Sequence, residues 1–107
     1  MGTGPKYDLQ EVKRLIANDD FTVISRVREF VRTRYPDMYV TEVVKEVFDA
    51  MRSEGFYKTL KLDKFPGQVG DVYHVDYDDT TWYVKFMVED SEVKVRVLSC
   101  KWNGYPY

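Results

Sequence analysis

The sequence predicts an α+β fold in which three N-terminal helices pack on a C-terminal antiparallel β-sheet. Apolar residues recur at helical spacing as far as Gly55 and alternate with polar residues after it. Short turns separate the alternating segments, which is typical of an antiparallel meander. Helices followed by strands define the α+β class, and a length of 107 residues suits one domain.

The helical half divides into three predicted helices. Asp8 caps the first, with Glu11 completing a capping-box pattern, and residues 18–20 end it. A short β-prone link, Phe21–Ile24, follows.

The other two helices are delimited by polar caps and helix breakers. Ser25 is predicted to cap the second, which ends at Tyr35-Pro36-Asp37. Thr41 is predicted to cap the third, and Gly55 to stop it.

Four strands are predicted after Gly55: Phe56–Leu60, Asp71–Tyr77, Thr81–Glu89 and Val93–Lys101. A loop over residues 61–70 joins the first two, and turns at 78–80 and 90–92 join the others.

Composition and charge narrow the functional class. The net charge of -2 argues against binding nucleic acid by bulk positive charge, but it allows a local basic site. The only cysteine, Cys100, cannot form an internal disulfide. No apolar run approaches the roughly 20 residues that span a bilayer, and no signal peptide is recognisable. We therefore expect a cytoplasmic protein that does not contact membranes.

The residue types disfavour common metal and nucleotide sites. His74 and Cys100 are too few for a zinc site. The carboxylates Asp76, Asp78 and Asp79 lack the central Gly and terminal Glu of an EF-hand loop and suit solvated charges at a hairpin turn. A Cys100–His74 nucleophilic pair is conceivable, although a core position for Cys100 is favoured. Glycine-rich phosphate loops are absent from the sequence. We expect no metal and no cofactor.

A set of basic and phenolic residues remains in the strand half: Lys58, His74, Tyr83, Lys85, Arg96 and Lys101. Tyr83 and Lys85 alternate with Trp82, Val84 and Phe86, so they face away from that apolar set. Alternation alone favours an ordinary solvated face.

The functional alternative for that face is phosphoryl transfer within RNA. A 2′-hydroxyl attacks the adjacent phosphate, and the reaction needs a base, an acid and positive charge near the phosphoryl oxygens. Histidine, tyrosine, lysine and arginine supply these groups, and dependence on the 2′-hydroxyl selects RNA over DNA.

Five short segments add a resemblance to a known family. They are YDLQEVK at 7–13, FYK at 56–58, DVYH at 71–74, WYVK at 82–85 and SCK at 99–101. In their order and spacing the chain resembles the MqsR toxins, mRNA interferases of the RelE/ParE superfamily. The resemblance implies one RelE-like domain over residues 1–107, with residues 1–6 disordered and 102–107 forming a tail that covers or extends the site.

The resemblance also implies a function. It is that of a metal-independent mRNA endonuclease, the toxin of a type II toxin–antitoxin system, which cleaves by 2′-hydroxyl attack. Its partners would be mRNA, free or on the ribosome, and a cognate antitoxin protein.

Catalytic positions carry over from the family one at a time. Lys58, Tyr83 and Lys101 match the lysine of FYK, the tyrosine of the third strand and the closing lysine. His74 is added as a second proton carrier. Strict alternation places Lys101 on the face of the inward valines, so it reaches the site only through a bulge near Leu98 or where burial ends beyond Val97.

Substrate-binding positions are less well matched. Lys85 and Arg96 are candidates for holding the phosphate charge. The family's glutamine falls on Gly70, and Gln68 would replace it if the loop bends. The lost glutamine and the acidic net charge keep an alternative open, a catalytically inactive homologue that acts as an RNA- or protein-binding module. An adaptor with a tyrosine-rich docking sheet is a third hypothesis.

Overall fold

A computed structural model of the chain describes residues 4–89 and 93–106. The helices in these ranges are α1 (Leu9–Ala17), α2 (Ser25–Arg34) and α3 (Val40–Ala50), and one 3₁₀ turn spans Ser53–Gly55. The strands are β1 (Phe21–Val23), β2 (Phe56–Lys61), β3 (Val69–Tyr77), β4 (Thr80–Glu89) and β5 (Lys94–Trp102). The α+β class and the three N-terminal helices are confirmed, and the turn predicted at 90–92 lies outside the described residues.

Helix α1 begins as predicted. The Asp8 carboxylate accepts hydrogen bonds from the backbone N–H groups of Gln10 and Glu11. These donors have no partner within the helix, so the cap stabilises its first turn. The Glu11 carboxylate accepts a hydrogen bond from the Arg14 guanidinium and forms an ion pair with it.

The predicted caps of the other helices are wrong. Helix α2 starts at Ser25 itself, with Ile24 as its N-cap residue and no side-chain cap. Helix α3 starts at Val40, and the Glu42 carboxylate accepts from the backbone N–H of Tyr39. It also ends at Ala50, before Gly55. Met51, which is buried in the core, takes an extended backbone conformation at that point.

The sheet has the order β1-β5-β4-β3-β2. Strands β2 to β5 form the predicted antiparallel meander. The predicted link Phe21–Ile24 supplies β1, which pairs in parallel with β5. The sheet is therefore mixed, and the expectation of a purely antiparallel sheet is wrong.

The helices cover one face of this sheet. The core between them contains Trp82, Val84 and Phe86 of β4, as predicted, packed with buried residues of all three helices. No helix in the described part of the chain covers the opposite face. At one end it is covered by the loop between β2 and β3, where Leu62 and Phe65 pack on Met87 and Leu98. The rest of it is called the open face below.

The N-terminal segment is fastened to the sheet by a buried carboxylate. Asp71 is fully buried. Its Oδ1 accepts from the backbone N–H of Lys6 at 3.0 Å and from the Thr59 hydroxyl at 2.5 Å, and its Oδ2 accepts from the N–H of Tyr7 at 2.9 Å. Of residues 1–6, expected to be disordered, the structure describes 4–6, and Lys6 is held in this way.

None of the helices in the described ranges has the length and apolar composition of a membrane span.

Replacing Asp71 should test how much this attachment stabilises the fold. Asp71→Ala removes three hydrogen bonds to a carboxylate and leaves partly buried donors unsatisfied, so the free energy of unfolding should fall by about 3 kcal/mol. Chemical denaturation measures the change. The control Asp49→Ala, on the exposed side of α3, should change it by about 0.5 kcal/mol or less. Equal effects for the two variants would contradict the anchoring role.

Candidate active site on the open sheet face

Two neighbouring rows of residues that pair across adjacent strands bring most of the predicted site residues together. In the first row, Tyr83 of β4 pairs with His74 of β3 on one side and with Lys101 of β5 on the other. Directly paired residues project from the same face of a sheet. Because Tyr83 alternates with the core residues Trp82 and Val84, all three paired side chains lie on the open face.

The second row adds two more cations. Lys85 of β4 pairs with Val72 of β3, and Val72 pairs with Lys58 of β2. Lys58 and Lys85 therefore share the open face and lie one row from Tyr83.

A bulge in β5 gives Lys101 this orientation. Lys85 pairs with Ser99 and Phe86 with Val97, so Leu98 is the extra residue between them. The bulge shifts the alternation of β5. Before it the core-facing residues are Val95 and Val97, and after it the core-facing residue is Cys100. The expectation of a bulge near Leu98 is confirmed.

A second bulge adds an aromatic residue that the sequence reasoning missed. The register of β2 shifts between Phe56 and Lys58, which leaves Tyr57 as the extra residue. The Tyr57 ring stacks on His74 with centroids 4.5 Å apart, and the Lys58 ammonium lies 5.2 Å from the Tyr57 centroid. With 54% of its surface exposed, Tyr57 is the large aromatic group of the site that solvent reaches most easily. Its position in the FYK segment is the sequence signal that could have identified it as a site residue.

Tyr83 lies in the middle of these groups. Its ring centroid is 6.4 Å from that of His74 and 5.4 Å from the Lys101 ammonium. A phenol, an imidazole and several ammonium groups are thus arranged on one surface, and they can exchange protons and hold an anion.

The electrostatics of the site favour a protonated phenol. Burial, with a smaller effect of Tyr57, raises the pKa of Tyr83. Burial followed by the nearby cations Arg26 and Lys101 lowers the pKa of Lys85, and burial followed by Arg26 lowers the pKa of Lys101. A phenol with a raised pKa stays protonated at neutral pH, so Tyr83 is suited to donate a proton and poorly suited to accept one.

The C-terminal tail contacts the site through Lys101. The ammonium of Lys101 donates to the backbone carbonyl of Tyr105 at 2.5 Å. The Tyr105 ring packs edge-on against Phe30 and Trp102, and the Arg34 guanidinium lies 5.2 Å from its centroid. The tail therefore lies beside Lys101, with its aromatic ring held on α2.

Two predicted substrate-binding residues lie apart from these rows. Arg96 forms an ion pair with Glu89 and lies 5.4 Å from the Phe65 ring, under the covering loop. Gln68 lies in that loop and borders a cleft with Tyr7 and Thr59, near the N-terminal segment. The structure does not bring either residue beside Tyr83.

The loop crowds position 70, where the resemblance predicts a glutamine. Gly70 of β3 pairs with Leu60. A Cβ atom on Gly70 would lie 3.0 Å from the Leu62 Cδ2 atom and 3.2 Å from the Phe86 carbonyl oxygen. The loop thus occupies the space into which a side chain at position 70 would project.

Cys100 and His74 do not form a nucleophilic pair. Cys100 is fully buried in the core on the helix-covered face, where burial raises the pKa of its thiol to about 12. His74 lies on the open face, with the sheet between them. Within residues 4–89 and 93–106, no three His, Cys, Asp or Glu side chains are grouped closely enough to hold a metal ion.

Comparison with known proteins identifies the class. A sequence model of the family described as "motility quorum-sensing regulator, toxin of MqsA" matches residues 4–101. The match covers most of the chain, which therefore belongs to the MqsR toxin family. It is a toxin of a toxin–antitoxin system, and its family implies an antitoxin partner. No curated protein shows significant similarity to the chain. The tail beyond Lys101 lies outside the family match.

A glutamine at position 70 should destabilise this protein. Gly70→Gln forces Leu62 aside, so the free energy of unfolding should fall by about 1–3 kcal/mol, the usual cost of overpacking. Adding Leu62→Ala makes room, and the double variant should lose less than the sum of the two single variants.

Chemical denaturation of the three variants measures the coupling. Gly4→Gln is the control, because nothing lies within 4 Å of a Cβ atom there. Additive losses in the double variant would show that Leu62 does not compete for this space.

Proposed function

We propose that this toxin is an endoribonuclease that cleaves mRNA by attack of a 2′-hydroxyl on the adjacent phosphate, without a metal ion. The observation that carries the proposal is the position of Tyr83, between His74 and Lys101 and one row from Lys58 and Lys85. Membership of a toxin family that implies RNA cleavage supports it.

The proposed roles follow from the chemistry of each side chain. The His74 imidazole accepts the proton of the attacking 2′-hydroxyl while the new O–P bond forms. Tyr83, a phenol that is protonated at neutral pH and whose pKa is raised further, gives its proton to the 5′-oxygen as the old P–O bond breaks. Exchange of one proton with water restores both groups.

The cations hold the charge that develops on the phosphoryl oxygens. Lys58 is exposed on the open face and is proposed to bind the phosphate first. Lys85 and Lys101 are half-buried, and a charge interacts more strongly with a phosphate where water is partly excluded. Such fixed cations can perform the charge stabilisation that metal ions perform in other nucleases.

A binding module without catalysis is the second candidate. It is favoured by Gly70, where the family has a glutamine and where Leu62 fills the space. In that case the same face would hold RNA without cutting it. Binding of RNA that stays intact over long incubation would decide for this candidate.

The cleavage products test the mechanism. Purified protein should cut single-stranded RNA in the presence of EDTA and leave 2′,3′-cyclic phosphate and 5′-hydroxyl ends. Lys58→Ala should slow the single-turnover rate by about 10²-fold or more, the usual loss when one transition-state charge partner is removed. Lys45→Ala, which removes a cation paired with Asp19 in the helical layer, should cut normally. Loss of activity in EDTA, or 5′-phosphate ends, would contradict the mechanism.

Tyr83→Phe separates a chemical role from a packing role. It removes one hydroxyl and keeps the ring, so stability should change by about 1 kcal/mol or less. Loss of the proton donor should slow cleavage by about 10²-fold or more. In the wild type, deprotonation of the Tyr83 hydroxyl should lower the cleavage rate only at a pH above the ordinary tyrosine pKa of about 10.

Thermal melting and single-turnover cleavage measure both quantities. Tyr39→Phe, at a ring that is 77% exposed on the helical side, is the matched control. Near-normal cleavage by Tyr83→Phe would remove Tyr83 from the proposed mechanism.

A further inference from the structure

A groove adjoins the site where the loop between β2 and β3 approaches the start of α2. Its volume is about 590 Å³, within the roughly 300–1,000 Å³ range of small-ligand sites. Its walls come from the N-terminal end of α2, from the end of β2 with the following loop, and from β4 and β5.

The groove is positively charged although the protein is acidic. Among the described residues that line it, Arg26, Lys61, Lys64 and Lys85 carry positive charge and Asp63 carries negative charge. Their concentration on one surface of a chain with a net charge of -2 indicates an anionic ligand.

The groove also has an apolar wall. Ile24, Leu60 and Phe65 are half-buried, and each presents part of its side chain to the groove. Cations beside an apolar surface suit a nucleotide, because the phosphate meets the charges and the flat base covers the apolar side chains.

Lys85 connects the groove with the proposed active site. It lines the groove and stands in the row next to Tyr83. Arg26, on the other side of the groove, is close enough to lower the pKa of both Lys85 and Lys101. An RNA chain whose phosphate is held at Lys85 therefore continues directly beside the groove.

We propose that this groove binds the nucleotide next to the scissile phosphate of a single-stranded RNA, with Arg26, Lys61 and Lys64 around its phosphate and Ile24 and Leu60 against its base. The proposal rests on the proposed function, which supplies the scissile phosphate. It adds a binding subsite on α2 and the covering loop, outside the catalytic rows.

The test compares RNA affinity with RNA length. The probes are a dinucleotide and longer single-stranded RNAs extended on the 5′ or the 3′ side, each with a 2′-deoxy group at the reacting position. Fluorescence anisotropy gives Kd at several salt concentrations. Arg26→Ala should raise Kd for RNA extended on one side by about tenfold, the usual loss of one contact to a charged group. It should also reduce the salt slope by about one, with a smaller change for the dinucleotide.

Matched variants keep the result specific. Arg28→Ala removes an exposed cation from the same helix, and Arg28 does not line the groove, so its Kd values should follow the wild type. Arg26→Lys should recover most of the affinity, and Lys64→Ala should reproduce the length-dependent loss.

Three outcomes would overturn the proposal. The first is that Arg26→Ala and Arg28→Ala change Kd equally, and the second is that Arg26→Ala weakens binding of the dinucleotide and of the longer RNAs equally. The third is that Arg26→Ala weakens antitoxin binding and leaves RNA binding intact, which would assign the groove to the protein partner. Failure of the proposed function looks different. In that case unmodified RNA stays uncut, while the length-dependent loss of affinity in Arg26→Ala persists.

Discussion

The arrangement of the open face depends on one extra residue in β5. Leu98 interrupts the alternation of the strand, so that Val95, Val97 and Cys100 all point into the core while Lys101 points out of it. Without this bulge, Lys101 would share the face of the inward valines, and β5 would bury a charge or expose its apolar side chains. Leu98 itself packs with Leu62 and Met87, so burial of its own side chain stabilises the bulge.

The division of the sheet into a covered and an open face sets the chemistry of the site. Helices bury Trp82 and Phe86 of β4 on one side, and this close packing holds the strands in place. On the other side the same strands present ionisable groups that are only half-buried. Partial burial is the main cause of the raised pKa of Tyr83 and the lowered pKa values of Lys85 and Lys101. A rigid strand with half-buried polar groups is a physical basis for a preorganised site.

Two segments limit the open face at its ends. The loop between β2 and β3 covers Met87 and Leu98 at one end and fills the space above Gly70. At the other end the tail carries its carbonyl to Lys101 and its aromatic ring to α2. Arg96 pairs with Met87, under this loop and away from the Tyr83 row. The tail provides Lys101 with a local hydrogen-bond partner.

The sequence by itself determined the order of the helices and strands, the inward residues of β4 and the shared face of Tyr83 and Lys85. These depend on periodicity, which is local and survives in the linear chain. The parallel pairing of β1 with β5 was decided by tertiary contacts, because a three-residue strand has no pattern that reveals its partner. The stacking of Tyr57 on His74 and the separation of Arg96 and Gln68 from the site were likewise decided by packing. They follow from a bulge and a folded loop, whose effects on neighbouring strands appear only when the sheet is assembled.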